Sequence, residues 1–136
     1  MGRSILAVVG GFASIVLVVL ISTFAATALM LPPAPAGELP QPTGAYLGVN
    51  LLSGLVAAVL GGYLAGRLAA HRPLMHAAVL AAVLIIMSII SAASGSEASA
   101  AMQPGWYSPA IAVIGVVGVI AGGWLRRRQL LDPIVA

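Results

Sequence analysis

The sequence predicts an all-α integral membrane protein: a four-helix bundle of two hairpins, with both termini on the cytoplasmic side. Three observations predict it. The 136 residues are 61% hydrophobic and only 7% charged. A soluble domain carries about 25% charged residues, so this chain has too little charge to cover a water-facing surface. The apolar residues gather into four long runs. All six cationic side chains are arginines, and they fall at every second break between runs. Arg3 precedes the first run, Arg67 and Arg72 lie between the second and third, and Arg126, Arg127 and Arg128 follow the fourth. Short cytoplasmic loops are enriched in Lys and Arg, which sets the number of spans and their direction together. The other two connections carry no cation and one acid each, Glu38 and Glu97.

The first span is expected over 5–31, where Pro32 and Pro33 stop it. At 1.5 Å per residue it is about 40 Å long against a hydrocarbon core of about 30 Å, so it tilts or protrudes. It is too long for a signal-peptide core of about 7–15 residues and reads as a retained span. Five prolines between 32 and 43 give an outer loop of polyproline character. The second span is expected over 45–66. A short basic turn follows, and Pro73 suits the first turn of the third span, where its missing N–H costs nothing. That span is expected over 74–92, followed by an outer loop rich in Ser, Ala and Gly. The fourth is expected over 107–125. Tyr46, Trp106 and Tyr107 fall at outer ends, and Tyr63 and Trp124 at inner ends, where half-polar rings meet headgroups. Residues 1–136 thus form one membrane domain.

A weak internal repeat is visible between the hairpins, either a duplication or a chance match in low-complexity apolar sequence. Gly61-Gly62-Tyr63-Leu64 with Arg67 matches Gly122-Gly123-Trp124-Leu125 with Arg128. A duplication of this kind would be parallel, about an axis along the membrane normal.

The strongest local pattern lies in the second span. Two adjacent columns at i, i+4 spacing hold only small residues. One is Ser53, Ala57, Gly61, Ala65 and Ala69; the other is Gly54, Ala58, Gly62, Gly66 and Ala70. The fourth span has a shorter version in Gly115, Gly118 and Gly122. Helices in lipid gain little from hydrophobic association, and small residues let their backbones approach. These faces either pack the second and fourth spans within the monomer or meet another subunit.

Polar side chains inside the spans, Thr23, Asn50, Ser53, Ser88 and Ser91 among them, fall in the outer halves. They are either interhelical hydrogen-bond partners or the lining of a shallow outward-facing pocket. Asn50 is the best single candidate because its amide has donors and an acceptor to satisfy. Mid-span carboxylates, on which proton-coupled transport relies, are absent. His71 and His76, five apart and separated by Pro73, share no helix face for a metal. With no cysteine there is no thiolate site. No catalytic triad, HExxH, paired carboxylate or phosphate loop occurs, so the chain reads as non-enzymatic, with no metal or cofactor. A net charge of +3 and a pI near 10.2 do not indicate nucleic acid, because no basic run is interleaved with aromatics. The arginines read as contacts to anionic lipid headgroups on the cytoplasmic side.

The stretches Gly61-Gly62-Tyr63-Leu64-Ala65-Gly66-Arg67-Leu68-Ala69, Arg72-Pro73-Leu74-Met75-His76-Ala77 and Gln103-Pro104-Gly105-Trp106-Tyr107 resemble a group of small bacterial inner-membrane proteins of unknown function. The resemblance implies only the four-helix topology; the expected location is the bacterial inner membrane. The chain resembles neither the small multidrug transporters, which carry a membrane-embedded glutamate, nor the four-helix fluoride channels with their Thr-Thr-Phe-Ser signature. The expected role is that of an accessory, assembly or structural subunit acting through helix contacts with other membrane proteins or itself. The alternatives are a small oligomeric transporter or channel with an outward polar pocket, and a lipid- or pigment-binding protein.

Overall fold

A computed structural model describes residues 2–31, 41–69, 71–94 and 103–131. They form α1 (Gly2–Met30), α2 (Gly44–Leu68), α3 (Pro73–Ala93) and α4 (Tyr107–Leu131), with no strand among them. Each is long and apolar enough to cross a membrane. Glu38 and Glu97 lie outside the described residues.

The ends follow from local chemistry. Thr43 caps α2, its hydroxyl accepting from the Tyr46 N–H at 3.3 Å and so satisfying a donor that has no partner in the first turn. Pro73 opens α3 behind Arg72, whose backbone is left-handed (φ 54, ψ 61). The Arg72 carbonyl compensates by accepting from the Met75 and His76 amides at 3.0 and 3.4 Å and from His76 Nδ1 at 3.1 Å. Pro109 falls in the first turn of α4, where no N–H is needed. The fourth helix differs most from expectation. It does not stop with the hydropathy at Leu125 but continues through Arg126–Arg128 to Leu131, because arginine is a good helix former and its stem can lie along apolar surface.

The helices run antiparallel in sequence order. Gly66 near the end of α2 lies beside Pro73 and Arg126, and Gly10 of α1 lies against Leu68. One end of the bundle therefore gathers Arg67, Arg72 and Arg126–Arg128; it is called the arginine end below. Thr27 and Tyr46 meet at the opposite end. Helix α2 is central, with α4 packed on one side and α1 on the other; α3 packs on α4 and more lightly on α2 and α1. Among the described residues α1 and α4 do not touch.

The core is narrow and made mainly of small side chains: Ala57, Ala58, Ala65, Ala77 and Ala81, with Ile15, Leu80 and Val119 filling between them. The bulky residues point outward instead. Phe24 is 79% exposed and Leu29 85%. A water-soluble fold inverts this order, because burying large side chains drives it. In lipid the exterior is as apolar as leucine, and close backbone packing is what remains to be gained.

Candidate functional site

The two small-residue columns of α2 turn to two different neighbours. The Gly61 column meets α1. A Cβ on Gly61 would run into Ile15 and lie 2.8 Å from the Gly11 carbonyl oxygen. A Cβ on Gly11 would lie 2.8 Å from the Gly61 oxygen and 2.9 Å from Ala65. Ala57 and Ala65 are fully buried in this seam, Ala69 is also buried and Ser53 is half-buried. The Gly62 column meets α4. Side chains on Gly62 and Gly122 would collide with the backbones of Val119 and Val59 respectively. A Cβ on Gly118 would lie 2.7 Å from Ala58, and one on Gly66 would lie 3.1 Å from Pro73 and 3.3 Å from Arg126. Thus α2 is gripped on both sides within one chain.

Two positions depart from the pattern. A side chain at Gly54 would have nothing within 4 Å, and one at Gly115 would make only an ordinary contact with Leu84 at 3.7 Å. Ala70 lies outside the described residues. Two contributors were not among the sequence candidates: Gly11 of α1, and Gly123, whose side chain would strike Ala77 of α3. The signal for the first was present. Ala7 and Gly11 are the small residues of an i, i+4 column continued by Ile15, and all three are buried.

The polar candidates separate. Thr23 Oγ1 donates to Asn50 Oδ1 at 2.9 Å, linking α1 to α2. Asn50 Nδ2 donates to the Tyr46 carbonyl at 3.0 Å, and the Tyr46 and Thr27 hydroxyls pair at 3.0 Å. Asn50 is 9% exposed. This group is closed on itself, as a polar amide in an apolar setting requires. Ser53, Ser88 and Ser91 take no part in it: Ser88 is half-buried on α3 and Ser91 is exposed. Of the five, Thr23 and Asn50 are the pair joined by a hydrogen bond among the described residues.

The arginine end carries a second polar group. Gln129 Oε1 accepts from the Tyr63 hydroxyl at 2.9 Å and from Arg126 Nη1 at 3.3 Å, tying α2 to α4. Arg126 Nε is buried with no hydrogen-bond partner. Arg128 lies over the Trp124 ring, 4.0 Å from its centroid. Arg67, Arg72, Arg127 and Arg128 are exposed; the side chain of Arg3 lies outside the described part. His76 is buried and His71 exposed. Because the Arg72 carbonyl can only accept, His76 carries a proton on Nδ1. Among the described residues no three His, Cys, Asp or Glu side chains converge as a metal site.

The chain matches no protein-family model, no curated protein and no solved structure. Function must be argued from this geometry.

Proposed function

We propose that the protein is a non-enzymatic subunit of the bacterial inner membrane, with its arginine end cytoplasmic, acting through helix contacts as an accessory, assembly or structural component. The observation that carries this reading is the half of α3 remote from the arginine end. From Ile85 to Ala93 only Ser88 is less than exposed, whereas His76, Ala77, Leu80 and Ala81 nearer the arginine end are buried. Apart from the face at Ser88, this stretch is exposed. It ends in Ser91-Ala92-Ala93, a small, weakly polar surface of the kind that lets transmembrane helices associate. The seams at Gly61 and Gly62 are filled within the monomer, and this half of α3 offers a further face to a partner helix. A transporter reading draws less support, because Thr23, Asn50, Tyr46 and Thr27 hydrogen-bond among themselves.

The test places a photo-crosslinking residue at Ile86 or Ile90, and as controls at Leu17 and Leu20 of α1, which are equally exposed to the exterior. In native membranes the α3 positions should give one discrete protein adduct of fixed stoichiometry, and the α1 positions none. Lipid adducts alone from all four positions would refute the contact role.

A further inference from the structure

A groove of about 520 Å³ runs between α3 and α4 toward the arginine end, lined by Leu74, Val116, Val117, Ile120, Ala121 and Trp124. Every lining side chain is apolar apart from the indole N–H of Trp124. At about 100° per residue, the five α4 residues span an arc of roughly 140°. Arg127 and Arg128 fall inside the same arc one turn further on, while Arg126 falls outside it, toward Gly66. The groove therefore leads along α4 to two guanidinium groups. One of them is held there: Arg128 stacks on the Trp124 ring that lines the groove. Stacking occupies the flat face of a guanidinium and leaves its N–H edge for an oxyanion. The acid nearest to them in sequence, Asp132, lies outside the described residues.

We propose that this groove holds one acyl chain of an anionic phospholipid whose phosphate is bound by Arg127 and Arg128. An unfilled groove forfeits dispersion contacts along its walls, and a flexible chain can restore them. Basic pockets between transmembrane helices bind anionic headgroups at the surface of the leaflet. The site is separate from a partner face at Ile85–Ala93, since the α3 residue that lines it is Leu74, in the first turn of that helix.

The purified protein, delipidated in mild detergent, is titrated with dioleoylphosphatidylglycerol, dioleoylphosphatidylcholine or glycerol phosphate. Retained lipid is counted by native mass spectrometry and Tm is followed. The expected result is one retained phosphatidylglycerol with a rise in Tm of a few degrees. Phosphatidylcholine should bind at least tenfold more weakly, and glycerol phosphate should have no effect. Arg127→Gln with Arg128→Gln should abolish the preference for the anionic lipid. Ala121→Phe and Val117→Phe each fill the groove from a lipid-facing position and should abolish retention; Val117 is 58% exposed, so its replacement leaves the seams intact. Equal retention of the two lipids, a Tm response to glycerol phosphate matching that to the lipid, or wild-type retention by a folded groove-filling variant would each overturn the proposal.

Discussion

At the scale of single residues, space decides what each glycine does. Gly62 and Gly54 belong to the same i, i+4 column, yet a side chain at Gly62 meets the Val119 backbone and one at Gly54 meets nothing. Gly62→Leu should therefore cost about 3 kcal/mol, the upper end of the range for overpacking, because a backbone cannot rotate out of the way. It should lower Tm in detergent at unchanged gel-filtration size, since the seam is internal. Gly54→Ala should leave Tm unchanged or raise it slightly, as alanine is the better helix former by about 0.5–1 kcal/mol. Leu60→Ala, on the outer face at 45% exposure, should change little. Wild-type behaviour of Gly62→Leu would mean the two backbones are not in contact. Asn50→Leu removes the acceptor for Thr23 and a donor to Tyr46. Interhelical hydrogen bonds in lipid are worth on the order of 1 kcal/mol, so a loss of that size is expected by thermal or SDS denaturation. An unaltered midpoint would show that Asn50 does not tie α1 to α2.

At the scale of elements, the sharpest local feature is the turn between α2 and α3. A left-handed backbone at a residue with a Cβ costs about 1–2 kcal/mol, and the freedom glycine loses on folding costs about 0.5–1 kcal/mol. Arg72→Gly should thus stabilise the protein by roughly 0.5–1 kcal/mol, provided the carbonyl keeps its bonds to Met75 and His76. A lower denaturation midpoint for this variant would show that the Arg72 side chain contributes more than its backbone strain removes. The sequence makes the four helices legible because apolar runs bounded by arginine and proline leave a chain in lipid few other ways to satisfy its amides. The small-residue columns were legible for the same reason of period. Less legible was which neighbour each column would meet: adjacent columns diverge by one residue step around α2, enough to send Gly61 to α1 and Gly62 to α4. The place of Gly54 was hidden too, since it lies beyond the point where Gly118 meets Leu55 and Ala58, and periodicity does not say how far a partner helix follows. How far α4 continues past the expected span was not legible, because hydropathy and helical hydrogen bonding stop at different residues. Which of Thr23, Asn50, Ser53, Ser88 and Ser91 would bond to one another was not legible, because depth along a span says nothing about direction around it; the described bond joins Thr23 to Asn50.

At the scale of the whole molecule, charge is the feature that distinguishes the two ends. Arg67, Arg72, Arg126, Arg127 and Arg128 lie at one end with both histidines, and no described residue at the other end is basic. Each arginine near an anionic leaflet is worth about 1 kcal/mol, and 1.4 kcal/mol is a tenfold preference. Several arginines acting together therefore bias orientation far beyond what one substitution can reverse. The chain has no cysteine, so single cysteines report cleanly. Gln41→Cys and Gly105→Cys, at exposed positions beside the N-terminal ends of α2 and α4, should react in intact cells with an impermeant maleimide added outside. His71→Cys, exposed in the turn between α2 and α3, should react only after the membrane is opened. Adding Arg67→Gln to each should leave the pattern unchanged. Replacing Arg126, Arg127 and Arg128 together with Gln should begin to mix the two orientations, because it removes half of the six arginines that set the bias. Labelling of His71→Cys in intact cells, with none at Gln41→Cys, would place the arginine end outside and overturn the orientation on which the cytoplasmic lipid contacts rest.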